Sequence, residues 1–473
     1  MSPRSDSAQK RDGRRAPEKA REGTGFALEN AGKGTRLLQA PRGMADLLPP
    51  EAGARRTLTR RVLRSFELCG YALVTPPVIE HAEVIARGGG TLESRELVRF
   101  VEPESGEVVV LRPDITPQIA RIVASHLAEH PAPVRLCYEG RVFRRQYGRA
   151  RNRQQVMQAG VELIGVASIS ADIEIITLAI RACEEAGLHD FRIELSDIRL
   201  VRSLLELVPA ETRAEISAIV AQKDAAQLKE LSRKGALPDD VADQLADLLT
   251  FYGERRVLED AARRFRSAEA VVAIKNLTAI TERLSELGLG ERIVFDLSET
   301  RGLSYYTGMR FSVLASGPGE ALGGGGRYDQ LLTRFGVDAP ATGFAIDLGN
   351  LQWTLRAAGR NALDHGELRI VVSGSDEKVT REIAERLRSA DMTAATLLVE
   401  NPAATAGAER ARCLAFAQAW GYDVALVTTA RSCELVRVPS QNGRVLSDAD
   451  LDTIRRLANV QTKAAVKSAA RKR

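Results

Sequence analysis

A long interruption in strand-forming sequence constrains this chain more than any other feature. From residue 200 to about 287 the pattern turns almost wholly helical, as over 212–220, 224–231 and 239–249. The flanks read differently. Short runs at 72–75, 98–101, 108–111, 134–138, 158–164 and 191–195 read as strands, and 292–296, 308–315 and 342–346 continue the series downstream. Polar residues 104–107 between two of these runs predict a hairpin. Helices are expected over 51–69 and 171–186 and after Asp347. A helical block set inside strands is an insertion in a sheet, so the expected class is α+β around a mostly antiparallel sheet.

A polar linker at 363–367 leads into a different rhythm. Strands over 368–372, 393–399, 422–428 and 434–438 alternate with helices over 377–389, 408–421 and 448–457. That spacing predicts a small C-terminal α/β domain with a partly parallel sheet. At 473 residues the chain exceeds one ordinary core. The expected division is a disordered basic tail over 1–38, a core over 39–199 and 289–360, a helical insertion over 200–288, the α/β domain over 368–459, and a second disordered basic tail over 460–473.

The net charge of +5 resides in those tails. Residues 1–36 carry nine Lys/Arg against five Asp/Glu, and 460–473 carry five against none, which leaves 37–459 at −4. A mildly acidic body argues against a broad nucleic-acid face. No run approaches the ~20 apolar residues of a membrane helix, and the charged N-terminus is no secretory signal. Five scattered cysteines without metal spacing read as buried free thiols in a reducing cytoplasm. His126 and His130 lie four apart with no third ligand nearby, which fits a solvated helix face better than zinc. No metal and no cofactor is expected.

Three segments carry candidate chemistry. In Leu111-Arg112-Pro113-Asp114-Ile115-Thr116-Pro117, Asp114 or Thr116 suits the cap of a helix beginning near Gln118, with Pro117 in its first turn. A plain cap and a carboxylate for a cationic ligand both stay open there. Gln158, Gly160 and Glu162 alternate on one strand face, the glycine leaving room for a ligand. Buried Glu162 demands a cationic partner, either a ligand or one of the arginines in the 141–153 loop. Arg301 stands beside Tyr305 and Tyr306, a guanidinium for a carboxylate next to two aromatic walls. A surface arginine beside core tyrosines fits that segment equally well. Gly323-Gly324-Gly325-Gly326-Arg327 reads as a flexible loop without the Gly-Lys-Ser/Thr ending of a phosphate loop.

Together these segments resemble class II histidyl-tRNA synthetases over 39–459, with a C-terminal unit similar to a much-altered anticodon-binding domain. The resemblance implies that Asp114, Arg144, Gln158, Glu162, Arg301 and Tyr306 hold histidine or its activated acyl group, with Tyr305 as a second aromatic wall. Asp114 stands where the synthetases carry glutamate, and the arginine matching Arg301 also assists adenylation there. The departures fall on ATP. Phe143-Arg144-Arg145-Gln146 ends in glutamine instead of glutamate, Asn152 replaces a second arginine, and Asn350 replaces the arginine that grips the γ-phosphate. One preorganised charge of this kind supplies about 3–4 kcal/mol to a transition state, or ~10²–10³ in rate, though several losses need not add.

The chain is more similar still to the synthetase paralogue that serves as the regulatory subunit of ATP phosphoribosyltransferase. Residues 111–121 follow that family's Asp-Met-Thr-Pro-Gln-x-Ala-Arg signature, and Arg135-Leu136-Cys137-Tyr138 and Gln222-Lys223-Asp224 match it as well. This resemblance implies a chain with no catalytic residues of its own. It implies a short-form catalytic subunit as partner, self-association as a dimer within a hetero-oligomer, L-histidine as ligand, and a role in histidine synthesis and its feedback control. Many members lack a C-terminal domain, which this chain carries. An active histidyl-tRNA synthetase, or an orphan synthetase-like paralogue binding an amino acid or RNA, are the alternatives.

Overall fold

Side chains alternate in kind along the central strands, and that alternation organises the molecule. The computed structural model describes residues 40–89, 96–144, 153–359, 369–398, 405–429, 433–438 and 443–446. The expected tails, the 363–367 linker and the 448–457 helix lie outside them. In strand Met309–Leu314, Met309, Phe311 and Val313 join the apolar core, while Arg310 and Ser312 occupy the other face. Strand Ala341–Asp347 sends Phe344 and Ile346 to the core and Gly343, Ala345 and Asp347 to the opposite side. Strand Gln155–Ile164 divides in the same way: Ala159, Val161 and Leu163 inward, Gln158, Gly160 and Glu162 outward.

These strands form a nine-stranded sheet, in the order Ala72–Leu73, Val134–Phe143, Gln155–Ile164, Ala341–Asp347, Gly323–Arg327, Met309–Leu314, Arg192–Asp197, Ile293–Asp296, Tyr252–Gly253. Two neighbouring pairs are parallel, Ala72–Leu73 with Val134–Phe143 and Arg192–Asp197 with Ile293–Asp296; the others are antiparallel. Helices Glu51–Glu67, Ile169–Glu185 and Ala268–Glu286 bring Leu58, Val62, Phe66, Ile175, Ile176, Leu277 and Ile280 into the core on the apolar side. Phe344 anchors this layer, with its ring centroid 5.7 Å from Phe66 and 6.1 Å from Phe311. The fold is α+β, as the interrupted strand pattern requires.

The helical stretch differs from its sequence pattern in one place. Tyr252–Gly253 pairs antiparallel with Phe295 and Asp296 at the sheet edge, a two-residue strand too short to show any period. The surrounding helices Arg213–Ala221, Ala225–Arg233, Asp239–Leu248 and Arg256–Arg264 send Ile216, Ile219, Leu228, Leu245 and Leu258 into the same contiguous core as the sheet. Lys223 adds a polar tie, its ammonium 2.6 and 2.8 Å from the two carboxylate oxygens of Asp296.

The glycine run is not a flexible loop. Gly323–Arg327 is a central strand, paired with Met309–Leu314 on one side and Ala341–Asp347 on the other. Composition suggested a loop because glycine weakens strands, but crowding demands glycine here. A Cβ on Gly325 would stand 2.5 Å from Phe344 Cβ, and one on Gly324 would stand 2.6 Å from the Phe311 carbonyl oxygen. Arg327, at the end of this strand, is buried with its guanidinium 2.9 Å from buried Asp172 on helix Ile169–Glu185.

Three smaller features complete the description. Ile79–His81, Val98–Val101 and Val108–Leu111 form a separate three-stranded sheet that contains the expected hairpin. Residues 369–446 hold a five-stranded sheet in the order Thr393–Thr396, Arg369–Gly374, Val424–Thr428, Cys433–Arg437, Gly443–Leu446, parallel among the first three strands and antiparallel beyond. Its apolar runs are buried on both faces, in one cluster with Ile383 and Leu387 and in another with Cys413 and Leu414. Cys137, Cys183, Cys413 and Cys433 are buried free thiols, whereas Cys69 is half-buried. Burial pushes the Cys137 and Cys433 thiols up to about 11 and those of Cys183 and Cys413 up to about 12. Among the described residues no helix is long and apolar enough to cross a membrane, and no His/Cys/Asp/Glu group is arranged to hold a metal.

If crowding dictates the glycine strand, Gly325→Ala lowers the unfolding midpoint by the equivalent of about 1–3 kcal/mol, the range for overpacking a filled interior. Urea titration followed by circular dichroism checks this.

Candidate functional site

The outward face of the sheet is a trough with polar banks. In register across the strands stand Arg310, Gly326, Gly343 and Glu162, and in the next row Ser312, Gly324, Ala345 and Gly160. Gly324, Gly343 and Ala345 leave the middle nearly bare, and a cavity of about 350 Å³ opens above them. Glu162, Gln158, Asp114 and Arg144 line it on one side, and Arg310, Ser312 and Glu320 on the other. Tyr305, Tyr306 and Tyr328 also line it, as do Arg153, Asp347 and Asn350.

Six of the seven expected residues meet there: Asp114, Arg144, Gln158, Glu162, Tyr305 and Tyr306. Arg301 does not. Its guanidinium folds back onto Glu299, with Nε 2.9 and 3.0 Å from the two carboxylate oxygens, and it lies 3.6 Å from Glu194. The local reason is short range, since Glu299 is two residues away and also accepts from the Arg301 backbone N–H at 2.8 Å. Arg310 stands on the cavity wall instead, its guanidinium N–H donating to Glu299 at 2.8 Å and its centre 5.9 Å from the Tyr306 ring centroid.

Glu162 sits nearly without solvent, 2% exposed. The Tyr138 hydroxyl donates to one of its oxygens at 3.2 Å, while the other is buried without a partner. Burial raises its pKa well above the ordinary carboxylate value, and the Asp114 charge adds to the rise. Gly160 is present for Tyr138 and not as floor space for a ligand, because a Cβ there would stand 2.5 Å from the Tyr138 hydroxyl oxygen. No arginine among the described residues reaches Glu162, and most of the 141–153 loop lies outside them.

Asp114 braces the local backbone and lines the cavity. One oxygen accepts from the backbone N–H groups of Ile115 and Thr116 at 2.7 and 3.3 Å, fixing the start of helix Thr116–Ile122, and the other faces Arg144 at 3.7 Å. Gly302, with φ +80°, turns the chain so that Tyr306 packs over it; a Cβ there would stand 2.5 Å from that ring. Tyr305 then meets Tyr306 edge-on at 5.0 Å and Tyr328 at 5.0 Å. Burial drives the Tyr305 phenol well above its usual pKa, so it is a neutral hydroxyl.

The other end of the cavity holds Asn350, 5% exposed, at the start of helix Leu348–Ala357. Asp347 caps that helix, accepting from Gly349 and Asn350 N–H at 2.7 and 3.0 Å, and faces Arg153 at 3.8 Å. Arg145, Gln146 and Asn152 lie outside the described residues. Among the described residues the lining thus carries three arginines against four carboxylates, Asp114, Glu162, Glu320 and Asp347. Arg310, Ser312, Tyr328 and Asp347 escaped the sequence analysis as site residues. The available signal was the spacing of Arg310 and Ser312, two polar residues on alternate positions between buried apolar ones.

Five buried polar atoms around this one cavity lack protein partners: Gln158 Oε1, Glu162 Oε2, Arg310 Nε, Ser312 Oγ and the Tyr328 hydroxyl. Buried polar groups are seldom left unpaired, and among the described residues these five share one cavity.

An antiparallel sheet with such a cavity on one face and helices on the other is the class II aminoacyl-tRNA synthetase fold. The histidyl-tRNA synthetase family model matches residues 43–351. Curated relatives include ATP phosphoribosyltransferase regulatory subunits of Syntrophotalea carbinolica, 35% identical over 76% of this chain and 85% of the relative, and of Moorella thermoacetica, 38% identical over 74% and 90%. A solved structure titled as an ATP phosphoribosyltransferase regulatory subunit/histidyl-tRNA synthetase from Bacillus halodurans aligns with TM-score 0.70 at 28% identity, covering 80% of this chain and 97% of that one. Histidyl-tRNA synthetase from Nostoc shares the fold, with TM-score 0.72 at 20% identity over 89% and 99% of the two chains. The chain belongs to the ATP phosphoribosyltransferase regulatory subunit family, within the histidyl-tRNA synthetase-like group.

The sign of the Glu162 shift sets a test. With its folded pKa above the unfolded value of about 4.3, the native state binds the extra proton between those two values. Stability from this group therefore falls as pH rises through that window. Glu162→Gln removes the dependence and raises the melting temperature of the unliganded protein at pH 7–8, measured by calorimetry across pH 5–8.

Proposed function

We propose that this regulatory subunit binds L-histidine in the sheet cavity and conveys its presence to a short-form catalytic ATP phosphoribosyltransferase subunit. Glu162, Gln158 and Asp114 answer the positive charges of the ligand, and Tyr305 and Tyr306 wall its imidazole. Arg144 holds Asp114 in place. The subunit works in the cytoplasm, self-associates as a dimer within the hetero-oligomer, and takes part in the first step of histidine synthesis and its feedback control. Histidine shifts the assembly through unequal affinity for its active and inhibited arrangements.

One observation carries the non-catalytic part of this reading: the nucleotide end of the cavity offers Asn350 and a helix-capping Asp347. Phosphoryl groups are held by arginine, lysine or metal ions, and positioning plus charge is nearly all their catalysis requires. Each arginine lining the cavity already faces a carboxylate, Arg144 with Asp114, Arg153 with Asp347 and Arg310 with Glu299. At that end the described lining brings one guanidinium, Arg153, which faces Asp347 at 3.8 Å.

Reconstitution with a short catalytic subunit tests the assignment. Phosphoribosyl transfer depends on this chain, and added histidine inhibits it. Glu162→Ala weakens that inhibition by about 10–100-fold, the value of one lost charge-assisted hydrogen bond. Robust histidine-dependent ATP–pyrophosphate exchange would instead establish a working synthetase. No co-purification and no effect on transfer would favour an orphan amino-acid- or RNA-binding paralogue.

A further inference from the structure

The Arg310–Ser312 bank of the cavity has no counterpart in the expected pocket, which relied on Arg301 to hold the ligand's carboxylate. Arg301 is unsuited to that task as it stands, because Glu299 grips it through side chain and backbone and it is not among the residues that line the cavity. Arg310 is placed differently. It is 9% exposed, its Nε is buried without a partner, and one terminal nitrogen is fixed on Glu299 at 2.8 Å. Ser312, two residues along the same strand face, is 0% exposed and its hydroxyl is likewise unpartnered. The residues in register with them on the neighbouring strand are Gly326 and Gly324, so no side chain on that strand screens either group from the cavity.

We infer that Arg310 and Ser312 form a carboxylate seat that fixes which way an amino acid lies in the cavity. The inference rests on the histidine reading above and deepens it. The charges divide across the glycine trough, with Glu162 and Asp114 on one bank for the cationic end, and the guanidinium and hydroxyl on the other for the anionic end. Glu299 is a positioning residue in this scheme, since it holds one terminal nitrogen of the Arg310 guanidinium and leaves Nε without a partner among the described residues. The ligand class that satisfies both banks is a zwitterionic amino acid with a basic side chain, bound across the bare strand.

Calorimetry with L-histidine and with histamine, which lacks the carboxylate, reads the seat directly. Wild-type protein prefers L-histidine by about 10–100-fold, as expected for a charge-assisted pair. Arg310→Met brings the two ligands to near-equal affinity, Ser312→Ala narrows the gap, and Arg301→Met keeps it. Retention of the full preference in Arg310→Met, or its loss in Arg301→Met, overturns the seat and leaves histidine binding intact. Wild-type protein that binds neither compound overturns the histidine reading and the seat together. Should Arg310→Met lose its near-ultraviolet dichroism, Ser312→Ala decides: an unchanged preference there rejects the seat.

Discussion

The two-residue period of the central strands is the constraint from which the rest follows. It places Phe311, Phe344 and Val161 against the helices and, on the reverse, Arg310, Gly343 and Glu162 under the cavity. Neither face can change register alone, because a one-residue slip would exchange core for cavity. The apolar face thereby fixes, within one pleat, where each polar group of the site stands. The glycines complete the arrangement by letting three strands approach while leaving their cavity side without side chains.

On that face the charge distribution separates binding from chemistry. Among the described residues Glu162 has no counter-ion, and burial together with its neighbour Asp114 raises its pKa. A cation placed beside such a group would stabilise its charged form. The far end of the cavity has been turned inward. Asp347 spends one oxygen on the helix N-terminus and turns the other to Arg153, and Asn350 brings no charge. A synthetase must draw triphosphate into this region; here the groups present serve the fold. On the function proposed above, the cavity keeps the half that would discriminate an amino acid and brings little charge to the half that would activate it.

Much of this was legible in the sequence, for reasons that differ by element. Strands with strict alternation, such as 158–164 and 342–346, were found because one face is apolar. Helix Glu377–Ser389 matches its sequence reading because its apolar spacing is regular and Asp376 caps it. The glycine strand was missed because composition alone signals a loop; the need for bare backbone arises from Phe344 and Phe311, which are remote in sequence. Six residues named through motif resemblance line the cavity, whereas Arg301, named by the same route, stands outside its lining. A motif assigns the residue type, but the nearby Glu299 decided where that guanidinium went. Arg310 and Ser312 belong to no recognised motif, and only the strand register brings them opposite Glu162.

The helices that interrupt the strands share their apolar interior with the sheet, and Lys223 clasps Asp296 across that join. Insertion and sheet thus share one continuous apolar interior, and prising them apart would expose apolar surface on both.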